Sequence, residues 1–151
     1  MNGNNKGASL KEKLKLALNS TFKVISDDFS LNKKKDHNNK NSNSFELESL
    51  NSKNDFIKAR AETDSSALKK KFSNGEVYKK NLPLNSSCRT LYSIAEKIRY
   101  ESLGCKMLKG INKNLKDNYN KIISLKRKEQ LLTKEDVSIN EAFELYMLKK
   151  F

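Results

Sequence analysis

The longest regular pattern of apolar positions covers residues 91–122. Apolar side chains recur there every three or four residues, which places them on one face of a helix and does not fit the alternation of a strand. Glu101 alone puts a carboxylate into this stripe. Gly104 and Gly110 each cost a helix about 1 kcal/mol relative to alanine, so we expect each to allow a close approach or to mark a bend. The stripe consists of Ile94, Ile98, Glu101, Cys105, Leu108, Ile111, Leu115, Tyr119 and Ile122.

Helices are also predicted on both sides of this stretch. A capping box at Ser9 opens a first helix, which extends to about residue 25. A second helix covers residues 54 or 55 to about 72, and Gly75 is expected to end it in a left-handed conformation. The long helix starts at residue 85, 86 or 87, is divided near Gly104, and ends or bends after residue 122. A second capping box, at Ser138, opens a last helix that runs through residue 150.

The fold class predicted from these patterns is mainly α. We expect a single helical domain of four to five helices over residues 9–151, preceded by a disordered N-terminus at residues 1–8. Residues 29–31 and 45–47 alternate weakly and would add a short β-hairpin if they pair. Between them, residues 32–44 form a Lys/Asn-rich segment that cannot bury a core and should be a mobile loop.

The chain is strongly basic, with 31 Lys and Arg residues against 18 Asp and Glu residues and a formal charge of +13. A nucleic-acid-binding protein would have such a charge, but it often adds Arg forks and stacking aromatic residues. Here the lysines are spread along the chain and tryptophan is absent. We therefore favour a compositional drift toward Lys and Asn, with weak nonspecific binding of polyanions as its consequence.

No constellation for catalysis, cofactor binding or metal binding is present in the sequence. His37 is the only histidine and falls in the predicted loop, and no Gly-rich phosphate loop occurs. Cys88 and Cys105 lack the spacing of a metal site, so we expect both to be small apolar residues of the core. No secretory segment, transmembrane run or lipidation signal is visible, which favours a cytoplasmic protein.

Two blocks of the sequence carry a family resemblance. Residues 99–115 read RYESLGCKMLKGINKNL, and residues 60–68 read RAETDSSAL. Both resemble helices in the N-terminal region of the T subunit of the aerobic cobaltochelatase, the CobT family, and they occur in the family's order and at about its spacing. Met107 and Leu108 depart from the family's pattern. The residues that we take as the structural motif are Arg60, Asp64, Arg99, Glu101, Gly104, Gly110 and Asn114.

The resemblance implies an accessory role in inserting cobalt into the corrin ring during cobalamin synthesis. In the family, this subunit works with an AAA+ ATPase subunit and with the large chelatase subunit. Cobalt, ATP and magnesium would be bound by those partners, or by the C-terminal von Willebrand A-like domain of longer family members. The 151 residues contain no such domain, so we expect from the resemblance a truncated chain that acts through protein–protein contacts. The alternatives are a small basic nucleic-acid-binding protein and a decayed, non-functional remnant of the gene.

Glu101 needs a partner if it is buried, because an unpaired buried carboxylate costs several kcal/mol. Arg60 falls on the predicted inner side of the second helix, one turn before Asp64. We therefore predict that Arg60 bridges Glu101 and Asp64 and fixes how the second and third helices cross. The alternative is a twisted stripe that leaves Glu101 at the rim, in water.

Overall fold

The computed structural model describes residues 4–28, 52–128 and 137–149, and these ranges contain six α-helices and no strand. The prediction of a mainly α fold is confirmed. The predicted hairpin, the Lys/Asn-rich loop at residues 32–44 and His37 all lie outside the described ranges. The helices are α1 (Asn4–Ser26), α2 (Lys53–Phe72), α3 (Gly75–Lys80), α4 (Ser86–Met107), α5 (Lys109–Lys128) and α6 (Ile139–Lys149).

The starts of α1 and α2 differ from the predicted ones. In α1 the helix begins at Asn4, so Ser9 lies within it, and residues 4–8, expected to be disordered, are helical. Extending an existing helix adds one backbone hydrogen bond per residue, and no proline in this segment prevents the extension. In α2 the helix begins at Lys53, one or two residues before the predicted start, because Ser52 and Asp55 form a capping box in which Ser52 Oγ accepts from Asp55 N at 3.2 Å and Asp55 Oδ2 accepts from Ser52 N at 3.0 Å.

The segment after α2 is organised differently from the prediction. None of the glycines in the described ranges has a positive φ, so Gly75 does not end α2 in a left-handed conformation. Ser73 leaves α2 in an extended conformation, and Asn74 caps α3 by accepting from the N–H groups of Glu76 and Val77 at 3.0 and 3.2 Å. The segment between the second helix and the long helix therefore contains a helix of its own. This helix is too short to show a periodic pattern of apolar residues in the sequence.

The long stripe is divided, but not at Gly104. Asn85, one of the three predicted starting residues, caps α4. Its side chain accepts from the N–H groups of residues 87 and 88 at 2.9 and 3.3 Å. The break falls at Leu108, which is extended and donates its N–H to the Gly104 carbonyl at 2.9 Å. From Lys109, α5 continues beyond the predicted end to Lys128.

The core forms around α2, which packs against α1, α4 and α5, while α6 packs against α4. Most of the predicted stripe is buried, although Leu108 and Ile122 are exposed. On α6, Ile139 and Tyr146 are exposed, whereas Leu148 is buried. The buried cluster is Phe22, Ile25, Ala61, Ala67, Leu68, Ile98, Tyr100, Ile111, Leu115, Tyr119 and Leu148.

Candidate functional site: a buried polar junction of three helices

Polar side chains meet inside the core where α2, α4 and α5 pack together. Glu101 on α4 is 0% exposed. Its carboxylate accepts one hydrogen bond from Ser65 Oγ on α2 and another from Tyr119 OH on α5, each at 2.5 Å. One carboxylate thus links three helices, and the buried oxygen atoms have the partners that a low-dielectric interior requires.

A second buried carboxylate lies nearby on α2. Asp64 is 1% exposed and accepts a hydrogen bond from Asn114 Nδ2 on α5 at 2.7 Å. Together, Asp64, Ser65, Glu101, Asn114 and Tyr119 form what we call the polar junction. Three of these five residues, Asp64, Glu101 and Asn114, belong to the sequence motif, so residues far apart in the chain come together here.

Burial dominates the protonation of the junction. It raises the pKa of Glu101, although the hydrogen bonds from Ser65 and Tyr119 and the charge of Lys97 act in the opposite direction. Burial likewise raises the pKa of Asp64 against the hydrogen bond from Asn114. The pKa of Tyr119 is raised by burial and then by the neighbouring Glu101 charge, so its hydroxyl stays a donor.

The predicted bridge from Arg60 to both carboxylates is wrong. Arg60 is exposed, and no ion pair links it to Glu101 or Asp64 within the part of the chain that the structure describes. It acts on Asp64 only through its charge. The alternative, with Glu101 in water at the rim, is also wrong, because hydroxyl groups replace the water inside the core.

Gly104 lies beside the junction and has a packing role. A Cβ built at this position would overlap the terminal methyl groups of Leu68, which is itself buried. The predicted close approach is therefore found at Gly104, and the approaching group is a side chain of α2. Gly110 has no atom within 4 Å of such a Cβ, so it marks no contact.

Arg99, the remaining motif residue, joins the end of α2 to α4. Its guanidinium donates to the Phe72 carbonyl at 2.7 Å and to both oxygen atoms of Glu96 at 2.6 and 2.8 Å. Glu96 also accepts from Ser73 Oγ at 2.7 Å. The hydrogen bond from Arg99 lowers the pKa of Glu96 and raises that of Arg99 itself.

The junction has the chemistry of a packing element. A cavity of about 150 Å³ borders Glu101, Lys97 and Asn118, but both carboxylates of the junction are already hydrogen-bonded by protein groups. Within residues 4–28, 52–128 and 137–149, no three His, Cys, Asp or Glu residues are grouped to hold a metal ion. No helix in these ranges is long and apolar enough to cross a bilayer.

The cysteines differ from each other. Cys88 is exposed, so its predicted place in the core is wrong, while Cys105 is half-buried and packs against the core. Burial raises the pKa of the Cys105 thiol to about 11. Sequence reasoning also missed Ser65 as a partner of Glu101, since serines on helices are common and no periodic signal distinguishes this one.

Comparisons with known proteins give one result. No curated protein and no solved structure matches the chain. The sequence model of the family described as "Cobalamin biosynthesis protein CobT" matches residues 8–150. This range contains all seven residues of the structural motif. Because the match covers nearly the whole chain, this protein belongs to the CobT family of cobalamin biosynthesis proteins.

Proposed function

We propose that this chain is an accessory, non-catalytic component of an ATP-dependent cobaltochelatase and acts through protein–protein contacts. The observation that carries the proposal is the family match over residues 8–150. The partners are an AAA+ ATPase subunit and a large chelatase subunit. Those subunits, or a C-terminal domain of the kind found in longer family members, bind the ATP, the magnesium and the cobalt that is the substrate of the reaction.

The state of the motif residues supports a structural role for them. The carboxylates of Asp64 and Glu101 are the groups best suited to acid–base or metal chemistry, yet each is buried and bonded by a neighbouring helix. Gly104 accommodates Leu68, and Arg99 holds the end of α2. These residues therefore fix the arrangement of the helices, and the helix surfaces are left to contact partners.

Sedimentation velocity with purified subunits tests the proposal. The intact chain is mixed with the ATPase subunit, with the large subunit, and with both, in the presence and absence of ATP. We expect the chain to co-sediment with at least one of them. If the folded chain sediments as a free species in every mixture, the proposed function is wrong.

The chain alone should neither hydrolyse ATP nor insert cobalt. The reason is that no phosphate loop occurs in the sequence. The measurement is phosphate release by the purified chain, followed through successive chromatographic columns. If ATP hydrolysis stays proportional to the amount of this chain through all columns, the non-catalytic assignment is contradicted.

A further inference from the structure

A second concave feature lies between the end of α2, α3 and α4. It is an open groove of about 520 Å³. Its lining is largely apolar and aromatic, and it also includes Arg99. The residues that line it include Phe72, Val77, Tyr78, Tyr92, Glu96 and Arg99.

The walls of this groove are held in place by specific contacts. The rings of Tyr78 and Tyr92 lie 5.0 Å apart at an interplanar angle of 33°, which fastens α3 to α4. Arg99 donates to the Phe72 carbonyl at 2.7 Å, which joins the end of α2 to α4. The groove is thus formed before anything binds, which lowers the entropic cost of docking.

Basic residues lie on the helices that form the groove. The charges of Arg99 and Lys69 both act on Glu96, which lines the groove. Lys79 and Lys80 lie in the last turn of α3, and both are exposed. Such a field attracts an acidic partner and repels a second copy of this basic chain.

We propose that this groove is the docking site for an acidic segment of a protein partner, which inserts an apolar side chain beside Val77 and Tyr92. The proposal rests on the proposed function and assigns the partner contact to one surface. An apolar anchor in a preformed pocket, surrounded by complementary charge, is the arrangement that concentrates binding energy in protein interfaces.

A nucleic acid fits the groove less well than a protein segment does. Bases bind to aromatic side chains by stacking on free ring faces. Here the rings of Tyr78 and Tyr92 are turned toward each other.

Replacing Val77 tests the groove directly. Val77 is 54% exposed, so Val77→Glu should fold normally while placing a carboxylate where an apolar, acidic partner docks. The matched control is Leu16→Glu on α1, where the replaced side chain is 67% exposed. The end of α1 pairs with Lys70 and Lys71 near the end of α2, and Leu16 lies more than two turns, about 15 Å, back along α1 from that contact.

The measurement is the dissociation constant of each intact variant for the ATPase subunit and for the large subunit, by isothermal titration calorimetry. For the subunit that binds, we expect Val77→Glu to weaken binding at least about tenfold and Leu16→Glu to leave it within about twofold. Val77→Ser, which removes apolar contact without adding charge, should give an intermediate loss. Circular dichroism checks that all three variants are folded.

The outcomes separate the two proposals. If wild type binds a subunit and both Val77 variants bind it equally well, the groove is not the docking site, although the proposed function stands. If wild type binds neither subunit, the proposed function fails and this inference fails with it. If the Val77 variants lose affinity for a single-stranded RNA dodecamer rather than for a subunit, the protein-docking assignment is overturned.

Discussion

Glu101 is held inside the protein by two hydroxyl groups, and no basic side chain of the described residues forms an ion pair with it. Ser65 and Tyr119 donate to its carboxylate, and the charge of Lys97 acts favourably on it. Because burial is the largest influence on its pKa and raises it, the Glu101 carboxyl group releases its proton less readily in the folded chain than in the unfolded chain. The stability of the protein should therefore depend on the protonation of this residue.

The pH dependence of stability tests the burial of Glu101. Its pKa is raised above the ordinary value of 4.5 in the folded chain, so the folded chain keeps the proton at pH values where the unfolded chain has released it. The stabilising contribution is therefore greatest below that ordinary value and is lost as the pH rises through the raised pKa. The measurement is a series of urea titrations at pH values from about 5 to about 8. As the pH rises over this range, the free energy of unfolding of wild type should fall more steeply than that of Glu101→Gln.

The surface residue Glu62 supplies the control for this prediction. Its side chain is 58% exposed and lies on α2. We expect Glu62→Gln to follow the wild-type pH profile. Parallel profiles for wild type and Glu101→Gln would contradict the burial of Glu101.

Removing single partners distinguishes the observed network from the bridge that the sequence suggested. Tyr119→Phe deletes a donor to a buried carboxylate and should lower the free energy of unfolding by about 1.5–3 kcal/mol. Arg60→Met removes an exposed cation and should cost less than about 1 kcal/mol. The measurement is urea unfolding of both variants. A larger loss for Arg60→Met than for Tyr119→Phe would restore the bridge in place of the hydroxyl network.

At the scale of the helices, Gly104 determines how closely α4 approaches α2. Leu68 occupies the space that a side chain at position 104 would need. Gly110, six residues later on α5, faces open space. Two glycines that look alike in the sequence therefore have different roles, and only one of them is required by packing.

Alanine substitution at the two glycines should have opposite effects. Gly104→Ala forces the buried Leu68 to shift and should destabilise the protein by about 1–3 kcal/mol. Gly110→Ala meets no atom and restores helix propensity, so it should be neutral or stabilising by up to about 1 kcal/mol. Thermal unfolding of both variants measures the difference. Equal losses at the two positions would contradict the packing of α4 on α2.

The sequence predicted those features of the helices that depend on local spacing. The stripe from Ile98 to Tyr119 and the cap at Asn85 follow from periodicity and from side-chain chemistry within a few residues. The break at Leu108 could not be predicted this way, because no distinctive residue marks it. The short α3 could not be predicted either, because it has too few residues to show a helical pattern. The partners of Glu101 depend on how three helices cross, so the choice of Ser65 and Tyr119 over Arg60 requires the three-dimensional arrangement.

At the scale of the whole molecule, the charge of +13 invites a nucleic-acid interpretation. Some of the basic side chains are engaged within the fold, since Lys70 and Lys71 pair with Asp28 and Asp27, and Arg99 pairs with Glu96. The remaining charge is spread over several helices. Such a distribution gives general attraction to polyanions without a defined site.

Binding of DNA or RNA should accordingly be weak and indifferent to sequence. At physiological salt we expect dissociation constants no tighter than about 1 μM, weakening further as salt is added, because the interaction arises from counterion release. Fluorescence anisotropy with several oligonucleotides at two salt concentrations measures this. A nanomolar affinity for one sequence would favour the nucleic-acid-binding alternative.

Reconstituted cobalt insertion tests the central claim most directly. The ATPase subunit and the large subunit are incubated with ATP, cobalt and the corrin substrate, with the native chain, with heat-denatured chain, or without it. An accessory component of the chelatase should raise the rate of cobalt incorporation only in the native form, and the increase should saturate with chain concentration. Equal rates in all three mixtures would contradict the account and favour a chain that no longer serves a chelatase.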